Sequence, residues 1–184
     1  MIYPFSLTQV GIVVGAFLVI IHAVALANPV GTGRFLRAFP RSVLNGRILL
    51  VMAATWSYWL IGVADLGEFS HLKPMLQIAV PVGAVLAWLF VDEFLSVRAL
   101  GTLALLAAEP VLSAAYLQEP VSRLFIVALA YVWILIGLFL VGMPYLLRDV
   151  LAWITSRAGI FRLAAVAGVF YGVLLIACSF LFWR

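Results

Sequence analysis

The sequence predicts an all-α, polytopic integral-membrane bundle of six transmembrane helices, and three observations carry that expectation. Hydrophobic residues fill 67% of the 184 positions and charged residues only 10%, against roughly 45–50% and about 25% in soluble domains. A chain this short has too little interior to hide so much apolar surface, so the excess faces lipid. The apolar runs are also continuous, whereas the strands of a membrane barrel alternate with period two. Finally, six runs are long enough to span, since a hydrocarbon core about 30 Å thick requires about 20 helical residues. They fall at about 7–27, 47–64, 75–95, 99–118, 122–147 and 161–183 and make one transmembrane domain of the chain 1–184.

Met1 to Gln9 lacks the basic region of a removable signal peptide, so the first apolar run is expected to be a permanent span. It ends at Asn28-Pro29-Val30-Gly31-Thr32-Gly33, read as a turn. Asp65 to Pro74 is a polar loop between spans two and three, and Gln118-Glu119-Pro120 separates spans four and five. Arg148 to Arg162 is basic but keeps Leu151, Trp153 and Ile154, the pattern of a short interfacial helix. The break between spans three and four carries no Gly or Pro from Ala84 to Leu100. One helix from Leu76 to Leu117 would be about 63 Å long, twice the membrane. A turn near Ser96-Val97-Arg98 is therefore expected; the alternative is a continuous helix over 84–100 and five spans.

Six spans place Arg34, Arg37, Arg41, Arg47, Arg98, Arg148, Arg157 and Arg162 on one side and Lys73, Arg123 and Arg184 on the other. The positive-inside rule puts the first side in the cytoplasm of a cytoplasmic (inner) membrane, with both termini outside. The net charge of +4 thus reads as an orientation signal, not as a nucleic-acid surface. Arg34, Arg37 and Arg41, interleaved with Phe35, Leu36 and Phe39, would also suit anionic headgroups. Asp92 and Glu93 close span three, where acids oppose the helix macrodipole. An ion-pair cluster of Asp92 and Glu93 with Arg34, Arg37, Arg41 and Arg47 is expected to compensate them.

The residue most suggestive of function is Glu109, near the middle of span four, where a carboxylate is costly and normally points into the bundle. Arg98, Thr102, Ser113 and Tyr116 all fall within ~40° of it around the helix, making one polar stripe. Pro110 follows and frees a carbonyl one turn earlier. Such a stripe suits either an ion or proton path or a buried network between helices.

His22, a secondary polar site, shares a face with Gly11 and Gly15, a small-xxx-small ridge for helix packing. Ala164, Gly168 and Gly172 form a second such ridge in span six. Thr55-Trp56-Ser57-Tyr58-Trp59 reads as an interfacial aromatic belt, or more sharply as a quinone or lipid pocket. Cys178 is the single cysteine, which excludes an internal disulfide and a Cys-rich metal site. His22 and His71 fall toward opposite sides and do not pair as haem ligands. No phosphate loop, nucleophile elbow or zinc motif occurs, so no metal, no cofactor and no nucleic-acid partner are expected.

Two function classes follow. One is a small transporter or channel-like protein with a polar path along the fourth span. The other is a non-enzymatic membrane subunit or scaffold that binds lipid and partner helices, in a homo-oligomer or a membrane complex. A membrane enzyme acting on lipid or quinone ranks third, because too few polar groups converge to define a mechanism.

Overall fold

A computed structural model describes residues 2–91 and 93–183. Among these residues the chain is all-α, with six helices long and apolar enough to cross a membrane. Helix α1 spans Leu7–Ala27. Ser6 caps it reciprocally with Gln9: the Gln9 amide donates to Ser6 Oγ (3.2 Å) and the Ser6 amide to Gln9 Oε1 (3.1 Å).

Asn28 then ends one helix and starts the next. Its backbone amide donates to the Val24 carbonyl (3.0 Å), while its Oδ1 accepts from the Gly31 amide (2.9 Å). With Pro29 in the first turn, helix α2 runs Pro29–Ala38. The expected turn over 28–33 thus contracts to Asn28: a capping Asn and a pre-organised Pro start a helix that the two following glycines do not prevent. A 3-10 turn, Phe39–Arg41, leads to α3 at Val43–Val63, capped by Ser42 and starting four residues before the expected 47.

Asp65 Oδ1 accepts from the Gly67 amide (3.0 Å), and Gly67 takes φ +53°. A 3-10 segment, Gly67–Leu72, then feeds α4, Lys73–Phe90. The Lys73 ammonium donates to the Ala64 carbonyl (3.1 Å), tying the hairpin shut.

The connection to α5, Leu95–Ala115, replaces the expected turn at Ser96–Arg98. α4 ends at Phe90, and Phe94 adopts the left-handed conformation at φ 57°. The chain breaks beside Glu93, so that acid leaves the helix end it would have opposed. Ser96 and Val97 are instead buried inside α5. Six spans stand, and the continuous helix over 84–100 does not form.

Helix α6 is Arg123–Gly142, and α7, Tyr145–Thr155, follows the break at Met143-Pro144. Span five therefore ends five residues before the expected 147, where Pro144 cannot donate its amide to an earlier turn. The short helix expected within 148–162 exists but starts at Tyr145 and ends before Arg157. Helix α8, Ala158–Leu181, completes the chain.

The main core joins α1, α5, α6 and α8 through Leu7, Val10, Val14, Val111, Ile126 and Leu175. α1 lies antiparallel on α8, and α5 antiparallel on α6. α5 also meets α3, whereas α4 has α3 as its main neighbour and buries none of its residues. α2 packs on α7 at the arginine-rich end, where Gly33 faces Thr155.

Candidate functional site

The polar stripe is built on α5. Thr102 Oγ1 donates to the Arg98 carbonyl (3.0 Å), so its hydroxyl is satisfied within its own helix. Arg98 is exposed near the helix start. Glu109 and Ser113 are half-buried near the opposite end. Tyr116 does not continue the stripe: it takes extended φ/ψ beyond the last turn and stands 61% exposed. The cause is the helix end at Ala115, whose carbonyl accepts from Arg123 Nη1 (3.0 Å). Glu109 accordingly sits about 9 Å of helix rise from that end and about 21 Å from Leu95, not at mid-span.

Glu109 is the polar group of greatest interest, because its Oε2 is enclosed and has no hydrogen-bond partner among the described residues. Gly101 and Leu105 of the same helix press on α6 at Gly137, and Leu103 lines a hollow with Met52, Thr55 and Trp56 of α3. At ~100° per residue, Glu109 falls beside the Leu105 row, between those two sides. On the far side of Pro110 lies an apolar hollow of about 740 Å³, lined by Phe5, Val10, Val13, Phe17, Pro110 and Trp133 among others.

The two small-residue ridges expected from sequence meet each other. A Cβ built on Gly15 would lie 2.7 Å from the Gly172 carbonyl oxygen, and one on Gly172 would lie 2.7 Å from that of Gly15. Gly11 packs on Ser179 and Trp183, and Gly168 makes room for the His22 ring. Ala164 of the ridge is exposed and lines a hollow instead. His22 Nδ1 donates to the Leu18 carbonyl (2.8 Å); a carbonyl can only accept, so the proton is on Nδ1. The histidine is thus a packed and bonded residue of the α1–α8 seam.

A third glycine contact was not read from sequence. Gly101 and Gly137 approach each other's carbonyls at 2.8 and 2.9 Å from a built Cβ, joining α5 to α6. Each glycine stands alone in its apolar run, without a second small residue four positions away to mark a ridge.

The expected acidic–basic cluster does not form around Glu93, which has no ion pair among the described residues; Asp92 lies outside them. The ion pair described is Arg148–Asp149, at 2.8 Å between adjacent residues. Arginines at this end use aromatic faces: Arg47 lies over Trp88 (4.8 Å), Arg148 over Phe94 (5.9 Å) and Arg157 over Trp153 (5.2 Å). Guanidinium groups stack well on rings, and the Arg47 contact fastens α4 to α3.

The polar aromatics of α3 divide between two faces. Trp56 Nε1 donates to the Tyr3 hydroxyl (2.6 Å), and Trp59 packs its ring on Tyr3 at 5.4 Å. Tyr58 and Thr55 line an apolar hollow of about 530 Å³ between α3 and α4, with Pro81 and Trp88 opposite.

Comparison with protein families, curated proteins and solved structures yields no match.

Proposed function

We propose that this chain is a non-enzymatic membrane subunit that assembles by pairing its α4 helix with that of a second copy. The observation that carries the reading is the placement of α4. It is among the least hydropathic of the six spans, yet it is the least buried, while the most hydropathic, α6, is partly enclosed. Lipid alone would favour the reverse order, because a less apolar helix gains less from facing hydrocarbon. Gly83 adds a contact point: a Cβ there would meet nothing within 4 Å. Close approach of two helices at a small residue is a common association mode in membranes, and twofold pairing is the commonest closed symmetry.

Disulfide trapping tests this in native membranes, in a Cys178→Ser background. Gly83→Cys should trap a product of twice the chain mass. Val173→Cys, exposed on α8, should not. Equal trapping at both positions, or none at Gly83→Cys, would remove the reading.

A second reading is favoured by one specific observation, the enclosed and partnerless Glu109 Oε2 beside Pro110. An intramembrane acid without a fixed partner suits proton or cation exchange in a transporter. In that case Glu109→Gln abolishes ion-dependent flux into proteoliposomes while the protein keeps its fold. Flux equal to that of the native chain would take Glu109 out of the mechanism. For either reading we infer that the arginine-rich end faces the cytoplasm of an inner membrane, supported by the eight-to-three division of basic residues.

A further inference from the structure

We propose that the hollow between α3 and α4 binds one anionic phospholipid from the leaflet at the arginine-rich end, with Arg47 holding its phosphate. The hollow exists because α3 and α4 are fastened at both ends and not between them. At one end the Lys73 ammonium donates to the Ala64 carbonyl (3.1 Å), and a Cβ built on Gly62 would lie 3.6 Å from Gln77 Nε2. At the other end Arg47 lies over the Trp88 ring at 4.8 Å. Midway stand the small Ala54 and Ala84, together with Pro81, whose ring takes the place of a helix amide.

What remains is about 530 Å³, walled by aliphatic side chains apart from Thr55, Tyr58 and Trp88. From Arg47 to Tyr58 is eleven residues, about 16 Å of helix rise, or about half of a hydrocarbon core about 30 Å thick. The hollow is therefore about one leaflet deep. Its volume over that length suits a single slender acyl chain and not a helix, which is about 10–12 Å across with its side chains. Gly83 lies on the opposite face of α4, about 160° from Pro81 and Val85, so this site and the pairing of two copies use different surfaces.

Arg47 commits the occupant to an anion. Around α3 it falls about 40° from Val51 and about 20° from Ala54 and Tyr58, so it shares the face that lines the hollow. The ring it touches, Trp88, is itself a lining residue. Among the described residues, Arg47 Nε is enclosed without a hydrogen-bond partner and the guanidinium makes no ion pair. No described acid neutralises it: Asp149 is taken by Arg148, and Glu93 is unpaired. A cation held against a ring keeps its N–H donors, whose planar fork matches a phosphate. Arg47 also lies in the first turn of α3, at the depth where acyl chain meets headgroup. The site is thus cationic at its rim and apolar within, the order of groups in a lipid. Basic pockets between spans recognise anionic headgroups in this way.

Native mass spectrometry of the detergent-purified full chain gives the test. With phosphatidylglycerol and phosphatidylcholine of identical acyl chains, one phosphatidylglycerol per chain should be retained in clear preference. Arg47→Gln should lower that preference about fivefold, and Arg47→Lys, which keeps the charge, should restore part of it. Arg162→Gln removes the same charge at the same end but on α8, and leaves the preference unchanged. Ala84→Trp, which fills the hollow, should abolish retention of both lipids, with size exclusion and thermal melting confirming that the variant is folded. The proposal fails if phosphatidylcholine is retained equally, if Arg162→Gln acts as strongly as Arg47→Gln, if Arg47→Lys binds no better than Arg47→Gln, or if folded Ala84→Trp still carries the lipid.

Discussion

At the scale of single residues, the glycines sort into those that touch another backbone and those that do not, and the distinction has a measurable price in stability. Gly15 and Gly172 each meet the other's carbonyl oxygen. A side-chain neighbour can rotate away, but a carbonyl held in a helix cannot. Gly15→Ala must therefore push α1 from α8, at a cost of about 1–3 kcal/mol typical of overpacking. Within a single chain Gly83 has open space around it, and alanine is the better helix former by about 1 kcal/mol. Thermal unfolding in a detergent that separates the copies should show Gly15→Ala melting well below the native chain and Gly83→Ala at or above it. Equal melting of the two variants would mean that the seam is looser than described. The same scale explains Glu109. Its position in sequence revealed an acid among apolar residues, but not that Tyr116 would leave the helix. The stripe depended on a helix end that the sequence does not mark, since Ala115 to Gln118 carries neither Gly nor Pro.

Among the elements, the long apolar runs were legible because length and continuity are properties of composition, and the facing ridges of spans one and six because small residues four apart share a face. Three other features were hidden for physical reasons. α2 reads as a turn because Pro29, Gly31 and Gly33 are turn residues elsewhere, and only the Asn28 cap turns them into a helix start. The turn before α5 has no breaker, so its position is decided by packing: Ser96 and Val97 are needed in the core and the chain bends ahead of them. The partners of Arg47 and Arg148 are rings contributed by other parts of the fold, Trp88 and Phe94, which charge counting does not anticipate. Ser96 also shows how elements are fastened. Its Oγ donates to the Phe39 carbonyl at 2.7 Å, joining the 3-10 turn before α3 to the start of α5. That carbonyl also accepts from the Ser42 amide (3.0 Å), so removing the hydroxyl does not orphan it. Ser96→Ala should then cost about 1 kcal/mol, the net worth of one hydrogen bond, and not the larger penalty of an unsatisfied group. A melting shift as large as that of Gly15→Ala would contradict this reasoning.

For the whole molecule, the alternation of six spans gathers the basic residues of distant segments at one end. Arg34 and Arg37 on α2, Arg41 in the 3-10 turn, Arg47 and Arg98 in the first turns of α3 and α5, Arg148 on α7, and Arg157 and Arg162 around the start of α8 all belong to it. Positive charge near span ends resists transfer across the membrane, so the gathered end should stay in the cytoplasm. Cysteine probes in a Cys178→Ser background read this directly. Gln118→Cys and Ser156→Cys are exposed at opposite ends. On intact cells a membrane-impermeant maleimide should label Gln118→Cys and spare Ser156→Cys, and the opposite pattern would invert the topology. The cause can be separated from the result by replacing Arg34, Arg37 and Arg41 with Gln, which leaves five basic residues against three. Because orientation follows the charge difference near short loops, that variant should insert in both directions and label partly at each probe. Labelling that stays wholly at Gln118→Cys would assign orientation to the remaining arginines around α7 and α8, and would leave those of α2 free to act on headgroups alone.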